Sequence, residues 1–156
     1  MEIGIVAAGG TKAVAVRVRA KPGCEPFYAT DGSAGADLRA AIESSRRLSP
    51  GEREAIPTGV HIELPIHYEA QVRPRSGLAL RYGLTVLNSP GTIDSDYRGE
   101  IMVPLINHGG EAVTIEPGMR IAQLIIAPIV RADFTVVHSL SDTDRAEGGF
   151  GSTGEQ

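Results

Sequence analysis

The feature that most limits how this chain can fold is a series of short apolar runs. Each is too brief for a stable helix and each is closed by a turn signal. Residues 12–20, KAVAVRVRA, set Val14, Val16 and Val18 on one face and Arg17 and Arg19 on the other. That is the period of two expected of a strand half exposed to water. Comparable runs recur at 59–65 (GVHIELP), 68–74 (YEAQVRP), 83–88 (GLTVLN), 100–107 (EIMVPLIN), 112–115 (AVTI), 120–130 (RIAQLIIAPIV) and 134–139 (FTVVHS). Pro50-Gly51, Thr58-Gly59, His108-Gly109-Gly110 and Pro117-Gly118 punctuate them as turns. The pattern predicts an all-β domain, a jelly-roll-like sandwich or barrel. One short helix is expected at 76–83 (SGLALRYG), between glycines. Past residue 140 the pattern stops. SDTDRAEGGFGSTGEQ is polar and glycine-rich, so we expect a single β domain over 1–140 and a flexible C-terminal arm over 141–156.

Aromatics make up only 4% of the chain and tryptophan is absent, so Val, Ile, Leu and Ala must build the core. A length of 156 residues suits one such core. The net charge of −4 argues against a nucleic-acid partner, and any phosphate contact would need a local arginine cluster. Cys24 is the only cysteine, which excludes an internal disulfide, and it reads as a spectator thiol. The opening MEIGIVAAGG has no basic region of the signal-peptide kind, and no run approaches the roughly 18 apolar residues of a membrane span. The expectation is a cytoplasmic protein with no membrane partner.

The chemistry concentrates in three places. Residues 89–100, SPGTIDSDYRGE, join two apolar runs, yet ordinary hairpin loops take only about 2–5 residues. Asp94 there can orient and deprotonate a water, or Asp94 and Asp96 can simply cap a turn. In VRPRSGLAL (72–80), Arg75, Ser76 and the amides after them can cradle a phosphate, or form a solvated turn. Gly149 to Gly154 matches GxGxxG, but no strand closely precedes it and no helix can follow, so the dinucleotide-binding reading fails. A disordered tail is the plain reading of that segment. Ordering on a ligand is the other, with Phe150 free to stack on a base. His61, His67, His108 and His138 lack metal-ligand spacing, and nothing supports covalent catalysis.

Five segments, GSAGADLRA (32–40), PRSGLAL (74–80), GTIDSDYRGEI (91–101), GMRIAQLII (118–126) and RAEGGFGSTG (145–154), occur in order. In that order and spacing they resemble the five motifs of the trimeric dUTP pyrophosphatases, the dUTPases. The resemblance spans about residues 14–154, although Ala36 stands where many members carry tyrosine or another larger residue. It implies hydrolysis of dUTP to dUMP and pyrophosphate, limiting uracil in DNA and supplying dUMP for dTTP synthesis. Asp94 would activate the water that attacks the α-phosphorus. Tyr97 would lie against the deoxyribose and reject a 2′-hydroxyl. The hairpin from Asn88 through Gly91, Thr92 and Ile93 to Met102 would hold the uracil. Arg75, Ser76, Gly77 and Gln123 would bind the phosphates. In the tail, Arg145 would reach the phosphates, Phe150 and Gly151 would cover the base, and Ser152 and Thr153 would meet the γ-phosphate. Mg²⁺ would ride on the phosphates, with Asp37 acting on it through water, and the sites would form between the chains of a homotrimer.

Two rivals share this fold. A dCTP deaminase, plain or bifunctional, would carry a second serine after Arg75-Ser76 and an arginine three residues beyond; here stand Gly77 and Leu80, with Arg81 one place late. A non-catalytic dUTP-binding regulator would have lost Asp94 or the tail motif, and both are present. A nucleic-acid-binding β-barrel is disfavoured by the acidic balance and scarce aromatics.

Overall fold

The computed structural model describes residues 13–149. Its elements are β1 (Arg17–Ala20), β2 (Phe27–Tyr28), β3 (Ala36–Arg39), β4 (Arg46–Leu48), β5 (Arg53–Pro57), β6 (Val60–Glu63), β7 (Tyr68–Pro74), α1 (Ser76–Tyr82), β8 (Leu84–Val86), β9 (Gly91–Ile93), β10 (Met102–Asn107), β11 (Val113–Ile115) and β12 (Arg120–Pro128). The predominance of strands agrees with the all-β expectation, and the short helix forms where it was expected.

The largest sheet runs β2-β3-β12-β7-β9, a second runs β5-β10-β8, and β1-β6 and β4-β11 form two-stranded ribbons. All the pairings are antiparallel. Leu38, Val72, Ile121 and Leu124 from the largest sheet share one apolar core with Ile56, Val86, Val103 and Leu105 from the second. Leu38, Ile56, Leu105 and Ile115 are essentially sealed from water. Each such side chain contributes about 1.5–3 kcal/mol by leaving water. Aliphatic residues alone supply this interior, as the scarcity of aromatics requires.

The turn glycines behave as their positions demand. Gly51, Gly59 and Gly118 hold φ of 81°, 69° and 74°, the left-handed region that a side chain disfavours. Gly83 ends α1 at φ 67°, its N–H donating to the Ala79 carbonyl. The backbone of Gly109 lies so close that a Cβ at 83 would collide with it. Between these turns, the buried side chain of Asn107 donates to the Leu48 and Glu111 carbonyls and accepts from Gly109 N–H. A polar group sealed in the core is thereby fully partnered.

Two expectations need correction. Residues 134–139 form no strand; Phe134 and Val136 are exposed, and among the described residues no strand pairs with them to complete a ladder. The N-terminal strand is shorter than its alternation suggests. It begins at Arg17 and pairs only with β6, so Val16 packs on the core while Val18 stays half exposed.

Candidate active site

β7 organises the chemistry. It lies between β12 and β9, and different groups gather at its two ends. At the end following Pro74 the chain turns into α1, whose start no side chain caps. The backbone amides of Ser76 and Gly77 open the helix there. A cleft of about 530 Å³ adjoins this turn, lined among others by Asp37, Arg75, Gly77, Arg81, Arg120 and Gln123. Asp37 sits on β3 and is 8% exposed. Its Oδ1 meets Arg75 Nε at 3.2 Å and its Oδ2 accepts from Arg120 Nη1 at 2.9 Å. Arg75 also donates to the Arg120 carbonyl, and Gln123 Nε2 donates to the Pro74 carbonyl at 3.0 Å.

Three guanidiniums therefore line this cleft against one carboxylate. The surplus positive charge and the fork geometry of arginine suit a phosphate-bearing ligand. Of the residues expected to bind phosphate, Arg75, Ser76, Gly77 and Gln123 all line the cleft, as does Asp37. Arg120 and Arg81 were not among those expected. Arg120 lies in the GMRIAQLII segment, but 83 positions separate it from Asp37, and only strand pairing brings the two together.

The other end of β7 carries the hairpin. β8 and β10 pair directly and antiparallel, Leu105 opposite Val86, so the connection between them leaves and rejoins the same sheet. Its tip is anchored partway by β9, which joins the other sheet through Gly91 opposite Val72 and Ile93 opposite Ala70. Gly91 is buried with the Asn88 side chain over it, while Thr92 and Met102 are exposed. Asp94 and Tyr97 follow, both exposed, in a turn closed by Tyr97 N–H on the Asp94 carbonyl at 3.1 Å. Arg98 Nη1 donates to the Ser95 and Tyr97 carbonyls, spending that guanidinium on the turn itself.

Because β9 runs antiparallel to β7, Asp94 leaves near Glu69 while Arg75 leaves beyond Pro74. The steps from Ala70 to Pro74 alone span about 13 Å of strand. One chain thus holds the arginine cleft and the Asp94 turn apart. The tail stands apart as well: Arg145 Nε donates to the Gly148 carbonyl within a local turn, and it does not line the cleft. Phe150, Gly151, Ser152 and Thr153 lie outside the described residues. Among the described residues no group of three or more His, Cys, Asp or Glu side chains could hold a metal ion. In the cleft, Asp37 is the one carboxylate near the arginines, so its oxygen donors suit a hard cation there only through a few contacts. No described helix is long and apolar enough to cross a membrane.

A model of the dUTPase family matches residues 23–154. The deoxyuridine 5′-triphosphate nucleotidohydrolase of Chlamydia pneumoniae is 62% identical over 130 residues, covering 83% of this chain and 90% of that protein. The enzyme of the same name from Anaeromyxobacter sp. is 57% identical over 129 residues, 83% of this chain and 86% of its own. Among solved structures, the dUTPase of Staphylococcus bacteriophage 80alpha with dUPNHPP superposes with a TM-score of 0.80 at 26% identity, covering 90% of this chain and 98% of that one. With the family model matching residues 23–154 and relatives this similar over most of their length, the chain belongs to the dUTPase family of dUTP-hydrolysing enzymes.

Proposed function

We propose that this chain carries out the family reaction, dUTP to dUMP and pyrophosphate, with its phosphate cleft and its Asp94 turn supplied by different copies of itself. The observation that carries the reading is the cleft at the end of β7, which Arg75, Arg81 and Arg120 line with the single carboxylate of Asp37. A triphosphate chain matches that surplus of charge. Arg75, Ser76, Gly77 and Gln123 hold the phosphates. The Asp94 carboxylate takes a proton from a water, whose oxygen bonds to the α-phosphorus. The bond from that phosphorus to the oxygen bridging to the β-phosphate breaks, and pyrophosphate departs.

Asn88 and the backbone of Gly91, Thr92 and Ile93 read the uracil edge, with Met102 beside them. A fixed donor facing the C4 carbonyl disfavours cytosine, whose amino group donates at that place. Tyr97 lies against the sugar, where a ribose 2′-hydroxyl has no room. Mg²⁺ carried in with the ligand would stabilise negative charge on the phosphates, and Asp37, the carboxylate of the cleft, would hold it through its water shell. Each Asp37 oxygen, engaged by one guanidinium, retains a lone pair for that water shell.

The separation across β7 supports an assembly in which the Asp94 turn of one copy closes the Arg75 cleft of another; a closed homotrimer fits. Residues 141–156 act as an arm over the assembled site, with Arg145 on the phosphates, Phe150 and Gly151 over the base, and Ser152 and Thr153 at the γ-phosphate. The test is incubation with Mg²⁺ and, separately, dUTP, dCTP, UTP and dTTP, with products resolved by chromatography. The expected result is dUMP and pyrophosphate from dUTP alone. Ammonia released from dCTP would instead make the chain a deaminase, and dUTP bound without turnover would make it a regulator.

A further inference from the structure

The Tyr97 ring folds back onto Gly99. A Cβ on Gly99 would lie 2.9 Å from the ring's Cε2 and nearer still to Cζ and the hydroxyl. Real Cβ atoms do not approach so closely, so any side chain at 99 must push the ring off its seat. The hydroxyl is fixed too, donating to the Glu100 carbonyl at 3.1 Å.

That seat is itself held from outside the turn. The Glu100 carboxylate accepts from Gly59 N–H at 2.6 Å, and Ile101 N–H donates to the Val60 carbonyl at 2.8 Å. The sealed hydroxyl of Thr58 donates to the Ile101 carbonyl at 2.6 Å, and His61 Nδ1 lies 3.1 Å from the Arg98 carbonyl. Four contacts from the β5–β6 turn thus fix residues 98–101, and the ring rests on the fixed part. Its outer face remains open: Tyr97 is 43% exposed.

From this geometry we infer that Gly99, with the Glu100 carbonyl, is the positioning element that sets the Tyr97 ring, and that it thereby determines discrimination between deoxyribose and ribose triphosphates. The inference rests on the reading of Tyr97 as the sugar-facing residue. A wall excludes a 2′-hydroxyl only if it cannot retreat, and the backbone behind this ring removes the space for retreat. Gly99 touches no ligand; it acts through the ring.

The test is the ratio of kcat/KM for dUTP to that for UTP in the full chain, with melting temperature as a parallel readout. Gly99→Ala should lower the ratio at least about tenfold. Tyr97→Phe, which keeps the ring but loses its anchor on Glu100, should lower it about two- to fivefold by the modest worth of one neutral hydrogen bond. Tyr97→Ala should lower it most. The double variant Tyr97→Ala/Gly99→Ala should match Tyr97→Ala alone, because without the ring the added methyl has nothing to displace. Should Tyr97→Ala lower the ratio while Gly99→Ala, folded, leaves it within twofold, the seat falls and the role of Tyr97 stands. If neither variant moves it, both fall. Independent, additive losses would mean that Gly99 acts by another route and would equally overturn the inference. Should Gly99→Ala fail to fold, Tyr97→Phe decides: an unchanged ratio there refutes the seat.

Discussion

Arg75 and Asp94 leave opposite ends of β7 in opposite states of engagement. Arg75 arrives already engaged: Asp37 holds it and Arg120 together, one carboxylate between two guanidiniums, and the three side chains form one ionic unit. Asp94 belongs to a turn whose order comes from the backbone, from the Arg98 guanidinium, and from the Thr58–His61 turn behind it. None of those contacts uses the Asp94 carboxylate. On the roles proposed above, the end that grips a charged ligand fixes charges with other charges, whereas the end that takes a proton fixes the main chain, with no hydrogen bond on the Asp94 carboxylate among the described residues. Substitutions at the two ends should therefore fail differently, one mainly in turnover and the other in affinity and stability together.

The largest effect is expected at the free carboxylate. Asp94→Asn should lower kcat by about 10³-fold, within the range of a general base. dUTP binding, measured by calorimetry, should be retained and the melting temperature little changed. Loss of binding in step with turnover would mean that this carboxylate is a ligand-gripping charge after all. Next comes the arm: ending the chain after Ser141 should cost about 10²-fold in kcat/KM through lost positioning, with the melting curve of the core preserved. An unaffected rate would make residues 142–156 a mere appendage.

At the ionic end the loss should be smaller and of another kind. Asp37→Ala leaves two guanidiniums facing each other. Breaking a well-buried pair costs about 3–5 kcal/mol, but the 28% and 40% exposure of the two arginine side chains reduces this to about 2 kcal/mol. KM for dUTP should rise about tenfold as Arg75 loses its alignment. An unchanged melting temperature would show that the arginines keep their places without the acid.

The smallest effect concerns an acid remote from both ends. Glu52 is fully exposed, yet its carboxyl is held below the ordinary 4.5, first by the backbone amide of Ser49, then by the Ser49 hydroxyl, with Arg47 adding less. A group whose value is lowered on folding stabilises above its unfolded value and loses that contribution as pH falls through the folded one. Glu52→Gln should therefore lower the melting temperature only slightly at neutral pH, the smallest shift of the set. The difference should fade as the pH drops below 4.5. A difference that persists in acid would mean that the side chain's shape, not its charge, holds the turn.

Much of this was legible before any coordinates. The alternation of YEAQVRP marked β7 to the residue, and the glycines bracketing SGLALRYG marked α1. β4 and β5 were not read, because Arg46-Arg47-Leu48 and Arg53-Glu54-Ala55-Ile56 each bury a single side chain and otherwise look like loop. The reverse holds at 134–139, where apolar, strand-like residues have no pairing strand among the described residues. At the cleft, Arg75 and Ser76 stood out by local pattern. Arg120 did not, since its meaning depends on a carboxylate 83 positions away. Gly99 carries no visible role in the sequence, because a missing side chain acquires significance only where a ring rests in its place.

The antiparallel course of β9 along β7 also has a genetic consequence. If each site takes its arginine cleft and its Asp94 turn from different copies, a chain lacking Asp94 and a chain lacking Arg75 damage different halves of the same site. Two alleles, each dead alone, should complement one another when their products assemble together. Random mixing in equal amounts would restore about a quarter of the sites. A chain altered at both positions could restore none.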